Sequence, residues 1–525
     1  MSDSSSIRGC RLWFPTCVAI LGGVGLLIIR IQADLERNFQ EWFSAGVLVL
    51  AFFLVLIWFL LFSRVAWRIR GIAFALLLLM AFALTKMLRV DGTVDGRGLP
   101  KLVWRWIPRS DAAIEHPTVE SSSDPAPLME GLRDVPQFFG PDRDGVVRDA
   151  QLAPDWFASP PKELWRRSLG AGWSAFAVVG GRAYTQEQRG EEEMITCYEV
   201  ATGRLLWAHA NPVHFQQWQG GDGPRATPTV HEGNVFAIGA TGILDCLDAG
   251  TGRLIWSRDV LLENKAENLI WGVSASPLVF GDTVVVTGGL TGPTVLAYGR
   301  SDGCPLWTSG TDKASYASPI LADLAGHRVI LSVNAASLTA HDPATGEILL
   351  NYPWSDASMP KASQPVVIGS DQVFLSSGYG VGCVLLQVTS GNDGKLVATQ
   401  VWKSLKMKTQ FNSVAVRDGC IYGLDDGLLA CVDLANGKRL WKEGRFGSGQ
   451  TLLVDDLIIV QGEPGEVVLA YARSDGFKEL GRIPALSAKT WNHPTLAGRY
   501  LLLRNSEEMV CYELPILKVG TTELR

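Results

Sequence analysis

Apolar residues are distributed along the chain in two different ways. In the first ninety positions they form long unbroken runs. Leu12–Ile29 and Trp42–Phe62 contain no charge, and Gly71–Leu88 contains only Lys86. A helix needs ~20 apolar residues to cross a bilayer, so the pattern predicts three transmembrane helices, at about 12–31, 42–62 and 71–88. No small-x-small cleavage site follows the first run, which argues for a retained helix rather than a signal peptide. Beyond residue 135 the apolar runs are short and alternate with Gly-containing turns. That is the pattern of strands joined in hairpins.

Within the second region one motif recurs. It reads Ala-Thr-Gly-Arg-Leu-Leu-Trp at 201–207, Gly-Thr-Gly-Arg-Leu-Ile-Trp at 250–256, Ser-Asp-Gly-Cys-Pro-Leu-Trp at 301–307 and Ala-Asn-Gly-Lys-Arg-Leu-Trp at 435–441. Weaker copies end at Leu350 and Leu480, and a stretched copy runs from Asp393-Gly394 to Trp402. The offsets are fixed. Gly203, Gly252, Gly303, Gly346, Gly437 and Gly476 stand four residues before the anchor, and a small residue (Cys197, Cys246, Ala297, Ala340, Cys431, Ala470) stands ten before it. With two further strands upstream, each repeat of 39 to 52 residues holds four strands, the period of a β-propeller blade.

The anchors Trp207, Trp256, Trp307, Leu350, Trp402, Trp441 and Leu480 define seven blades. An eighth set of inner strands, Thr495–Tyr512, has no outer strand after it, whereas Leu164-Trp165-Arg166-Arg167 is an outer strand with no blade before it. Joining the two closes the ring and removes an open edge. The expectation is an all-β, eight-bladed propeller of four-stranded antiparallel blades, preceded by three transmembrane helices. The anchors Trp165, Trp207, Trp256, Trp307, Trp402 and Trp441 are expected to pack between blades, each indole N–H reaching a backbone carbonyl. Cys197, Cys246, Cys431 and Cys511 are read as small buried hydrophobes; a Cys420–Cys431 disulfide within one blade has no support in the pattern.

Charge and composition refine the picture. The formal net charge is −6 and the isoelectric point about 5.8, which argues against a nucleic-acid binder. The nine cysteines show no CxxC, CxxCH or paired metal spacing, so no metal site is assigned. Arg8 and Arg11 precede the first helix, and the loop 63–70 carries Arg64, Arg68 and Arg70 without an acid. Positive-inside counting then places the propeller outside the cytoplasm, on the periplasmic side of an inner membrane. The domain reading is a membrane domain at 1–90, a juxtamembrane segment and Pro/Ser-rich linker at 91–134, the propeller at 135–514 and a tail at 515–525.

The Gly-anchored outer hairpin ending in Trp, with a small residue in the preceding strand, resembles the pyrroloquinoline-quinone (PQQ)-like repeat. That repeat builds the eight-bladed propellers of quinoprotein alcohol and glucose dehydrogenases and the non-enzymatic propeller of the assembly factor BamB. The stretch Val-Pro-Gln-Phe-Phe-Gly-Pro-Asp-Arg-Asp-Gly-Val at 135–146, followed by Pro-Lys-Glu-Leu-Trp at 161–165, looks like uncharacterised membrane-anchored PQQ-like proteins of the planctomycete type. The resemblance implies the fold and leaves two activities open. One is a non-catalytic binding or assembly platform; the other is a membrane-bound PQQ-dependent alcohol or sugar dehydrogenase holding PQQ with Ca²⁺. The short propeller leaves little room for calcium-binding loops, and no adjacent Cys pair or haem motif is present, so no cofactor is assigned and the platform reading is preferred.

In a propeller the loops before each innermost strand ring one mouth of the channel. Here they supply Trp173, Arg225, Trp271, Ser274, Tyr316, Lys361, Gln364, Gln410, Asn412, Trp491, Asn492 and His493. Aromatic walls with convergent polar groups are what a binding pocket requires. These segments contain no Asp or Glu, so a protein partner or an extended or anionic ligand is expected there; Asp425 and Asp426 remain unplaced. Trp271 and Trp491 fall outside the blade ruler and are the leading stacking candidates. His209, His214 and His231 read as loop residues. Gln186–Glu193 is expected to be a solvated hairpin loop, and the long insertion Ala208–Pro224 a lid or partner contact.

Overall fold

The computed structural model describes residues 13–32, 35–107, 127, 129–357 and 359–517. Arg8, Arg11 and, within the juxtamembrane segment and linker, residues 108–126 and 128 lie outside the described residues. The chain divides into two compact units, 1–107 and 108–525.

In the first unit three helices, α1 (Trp13–Ile31), α2 (Arg37–Leu61) and α3 (Trp67–Met87), are each long and apolar enough to cross a membrane. α2 and α3 start four or five residues before the apolar runs begin. Their first turns are polar, as in Arg37-Asn38-Phe39-Gln40-Glu41, and hydropathy marks the apolar centre of a helix rather than its ends. The Arg70 guanidinium donates to the Leu60 carbonyl (2.7 Å), satisfying a group at the end of α2. A hairpin that the apolar pattern did not predict, Leu88–Thr93 with Pro100–Trp104, follows α3.

The second unit holds eight antiparallel blades. Blade 1 spans 177–211, blade 2 229–259, blade 3 278–309, blade 4 320–353, blade 5 366–404, blade 6 415–443 and blade 7 450–484. Blade 8 combines 495–513 with the strand Lys162–Ser168, which pairs with Glu508–Glu513 and closes the ring.

The ruler in the sequence is a packing device. In six blades the small residue faces its anchor across the strand pair: Cys197 opposite Trp207, Cys246 opposite Trp256, Ala297 opposite Trp307, Ala340 opposite Leu350, Cys431 opposite Trp441 and Cys511 opposite Trp165; in blade 7 a bulge sets Ala470 opposite Glu479 instead of Leu480. These four cysteines and Cys420 are buried and free. The indole N–H then donates to the next blade: Trp165 to the Val200 carbonyl (2.8 Å), Trp207 to Ala249 (3.0 Å), Trp256 to Arg300 (2.9 Å), Trp402 to Leu434 (2.8 Å) and Trp441 to Arg473 (2.8 Å). Trp307 differs, its indole nitrogen being buried without a partner. The turn glycine completes the contact. A Cβ on Gly203, Gly252, Gly303 or Gly437 would lie 2.5–2.7 Å from the ring of the preceding blade's Trp, and all four have positive φ, so only glycine fits.

Residues 135–147 form a plug. Val135 pairs with Val178 of blade 1, and the Pro136 carbonyl accepts from Val230 N of blade 2 (2.7 Å). The Arg143 guanidinium donates to the Pro277 (2.8 Å) and Ser276 (2.9 Å) carbonyls before blade 3, and Val146–Val147 adds a parallel strand to blade 7. The Phe139 ring lies 4.3 Å from that of His493, before blade 8. The segment therefore meets the innermost strands of blades 1, 2 and 7 and the residues that lead into those of blades 3 and 8. Cavities of about 200 and 190 Å³ flank it. Phe139 and Arg143 carry positive φ (66° and 55°), a strained conformation for non-glycine residues. Burial without a carboxylate partner lowers the Arg143 pKa to about 9.

One expectation is corrected. Gln186–Arg189 is not a solvated loop but the end of a buried strand, and Glu192–Glu193 begin the next. Glu187 is wholly buried because every direction offers a donor: Arg189 at 3.1 Å, the Tyr198 hydroxyl at 2.6 Å and Gly170 N at 2.5 Å. Those donors hold its carboxyl below the usual range against desolvation. Arg504 of blade 8 donates nearby to the Thr185 hydroxyl (2.6 Å) and the Gln186 carbonyl (2.7 Å), joining the two blades.

Candidate functional site: the propeller mouth

The loops before the innermost strands and the turns between second and third strands meet at one mouth of the ring. Two aromatic groups form there. Trp173 and Trp491 lie 4.8 Å apart with their planes tilted by 37°, and Phe411 lies 5.1 Å from Trp491. Trp271 meets Tyr316 edge-on at 5.7 Å. All five rings are half-buried, so each keeps an accessible surface.

The twelve positions expected at the mouth divide by side-chain direction. Trp173, Arg225, Trp271, Ser274, Tyr316, Gln410 and Trp491 are half-buried, whereas Lys361, Gln364, Asn412, Asn492 and His493 are buried in the ring wall. The Lys361 ammonium donates to the carbonyls of Asp356 (3.0 Å) and Met359 (3.1 Å). Asn412 donates to the Leu424 carbonyl (3.2 Å), and Asn492 to Gly172 (3.2 Å) and Ser174 (2.7 Å). The Gln364 amide oxygen is buried without a partner. His493, beside Phe139, is held neutral: burial lowers its pKa to about 4.

Two mouth residues also clamp the insertion Ala208–Pro224. The Trp173 indole N–H donates to the Gly220 carbonyl (2.5 Å), and Arg225 donates to Gly221 (2.7 Å) and Gly223 while stacking on Phe215 (4.5 Å). Desolvation lowers the Arg225 pKa to about 10. The clamped insertion includes its own short hairpin, 216–217 with 221–222, and presents Trp218, 51% exposed, at its tip.

The carboxylates of the mouth lie in the turns between second and third strands or at the strand ends beside them, outside the preceding loops. Glu463 accepts from the Trp491 indole N–H (2.7 Å) and from Ser448 N (3.0 Å). Glu193 accepts from Ala240 N (3.1 Å), and burial raises its pKa to about 7. Asp425 is buried against Lys442 (2.8 Å), Arg439 (3.3 Å) and Lys408 (3.8 Å). The repeat ruler, extended to those turns, places Asp425 and adds Glu193 and Glu463. Among the described residues no group of three or more His, Cys, Asp or Glu is placed to hold a metal.

The fold defines the class: an eight-bladed β-propeller of four-stranded antiparallel blades. Residues 191–443 match the family described as "Outer membrane protein assembly factor BamB". BamB of Yersinia pestis is 26% identical over 290 residues, covering 52% of this chain and 70% of that protein. BamB of Burkholderia pseudomallei (strain K96243) is 25% identical over 278 residues, covering 51% and 68%. Among solved structures, BamB from Moraxella catarrhalis aligns with a TM-score of 0.51 at 14% identity, over 67% of this chain and 100% of that one. A europium-containing methanol dehydrogenase aligns at 0.56 and 12%, over 73% and 98%. At such identities the structural likeness establishes the fold alone.

Proposed function

We propose that the chain is a membrane-anchored, non-catalytic platform whose propeller lies outside the cytoplasm and binds a protein partner at its mouth. The observation that carries this reading is the aromatic surface of the mouth: the rings of Trp271, Tyr316, Trp491 and Phe411 are all half-buried there. Large aromatic rings in a polar rim suit a protein interface. The similarity to proteins named as outer-membrane assembly factors supports a partner of that kind.

The rival reading, a PQQ-dependent dehydrogenase, has the solved propellers of such enzymes in its favour. The donor set does not fit it. Calcium takes 6–8 oxygen ligands with carboxylates prominent, and the three carboxylates described above are already committed: Glu463 to Trp491, Asp425 to three cations, Glu193 to the Ala240 turn. We derive no chemistry through that cofactor.

The test places a photocrosslinking amino acid at Trp271 of the full chain in its native membrane, with Leu306 on an outer strand (52% exposed) as control. A discrete adduct from 271, absent from 306 and lost on Trp491→Ala, is expected. Calorimetric titration with PQQ and calcium, with dye-linked oxidation of alcohols and sugars, is expected to give no binding and no turnover. Stoichiometric PQQ binding with dye reduction would reverse the choice.

A further inference from the structure

The Trp173–Trp491–Phe411 group differs from the Trp271–Tyr316 pair in already holding a charge. The Lys489 ammonium lies 4.1 Å from the Trp491 ring centroid and 5.4 Å from that of Trp173, both within the ~6 Å reach of a cation–π contact. Trp491 is not free to turn away, because its N–H is fixed on the Glu463 carboxylate (2.7 Å) and its main-chain carbonyl accepts from the Gln450 amide (2.8 Å). The three rings come from the loops before blades 1, 8 and 6. The cage is thus assembled by the closed ring and not by one local segment.

We infer that this cage is a subsite for a lysine side chain of the partner polypeptide, and that Lys489 is its resident occupant in the unbound chain. The inference rests on the platform reading above and names what the mouth recognises. A rigid aromatic face backed by a carboxylate attracts a cation, because the ring quadrupole and the carboxylate act in the same direction. The resident group is itself a lysine, so its reach and size are those the cage accommodates. Trp173 and Trp491 pack on each other at 4.8 Å, and the ammonium meets both rings from one side. Lys489 is half-buried, so its ammonium can exchange with an incoming one without unfolding the loop.

The experiment uses the full chain in detergent, labelled with 5-fluorotryptophan, with the fluorine resonances assigned by Trp173→Phe and Trp491→Phe. The probes are the capped tripeptide Ac-Ala-Lys-Ala-NH2, its norleucine counterpart and tetramethylammonium. In Lys489→Ala the lysine peptide is expected to shift the Trp491 resonance saturably, at a midpoint about tenfold below that of the wild type, since no resident cation then competes. Lys489→Met is expected to do the same while preserving the stem. The norleucine peptide is expected to give no shift. An equal shift with norleucine makes the cage an apolar groove, and tighter binding of tetramethylammonium makes it a headgroup site; either result, or no shift with any probe in both variants, overturns the inference. A persistent adduct from position 271 alongside such a failure would leave the platform reading standing and remove only the lysine subsite.

Discussion

A single turn glycine carries two separate demands, and blade 2 allows them to be measured apart. Gly252 has φ +72° and the Trp207 ring where a Cβ would go, whereas Gly233 has φ +78° and open space. Gly233→Ala should cost about 1 kcal/mol from backbone strain alone. Gly252→Ala should cost about 3 kcal/mol, because the ring must also move. Denaturant unfolding would check this, and equal losses would mean that the indole adjusts freely. Two buried titrating groups give a second prediction. Glu193 has a folded pKa of about 7 against 4.5 for the unfolded chain, so its contribution to stability falls as pH rises between those values. His493 has a folded pKa of about 4 against 6.5, so its contribution falls as pH drops through that window. The two oppose each other near pH 4.5–6.5. Glu193→Gln should therefore leave a melting temperature that climbs more steeply with pH there, and His493→Gln one that declines towards pH 7. A Glu193→Gln profile matching the wild type would show that this carboxyl already ionises normally.

Among the strands, the blade ruler was legible because the Gly–Trp spacing is fixed by one hairpin and its register, both local along the chain. The mouth was legible only as positions. Whether a loop side chain points outward or into the wall depends on which carbonyls surround it, and Lys361 turns inward because those of Asp356 and Met359 lie there. Charge density misled at Gln186–Glu193, since the partners that make burial tolerable come from the facing strand, as Tyr198 does, and from another blade, as Arg504 does. The plug at 135–147 carries no repeat, so nothing in its pattern announced a place in the channel. The anchors themselves supply the element-level prediction. Trp207 spends its N–H on the next blade and Trp307 does not. Replacing each by Phe should cost about 1 kcal/mol more at 207 than at 307, read as a difference in unfolding free energy. Trp165→Ala, at the closure strand, should cost about 3–5 kcal/mol.

At the scale of the whole molecule, the arrangement of charge around α2 and α3 sets the expected orientation. The loop bearing Arg64 and Arg68 should stay in the cytoplasm. A reporter fused after Arg525 should then be active only in an oxidising compartment outside it, and activity of a cytoplasm-only reporter at that site would overturn the orientation. Ring closure also has a cost in time. Arg166 of the closing strand meets Glu508, 342 residues later. At typical synthesis rates that strand waits roughly 20–70 s for its partner to be made. Through that interval blade 8 cannot form, and the waiting strand offers the unpaired edge that invites mispairing. A nascent chain of this design therefore depends on being shielded until its last blade is complete, however stable the finished ring becomes.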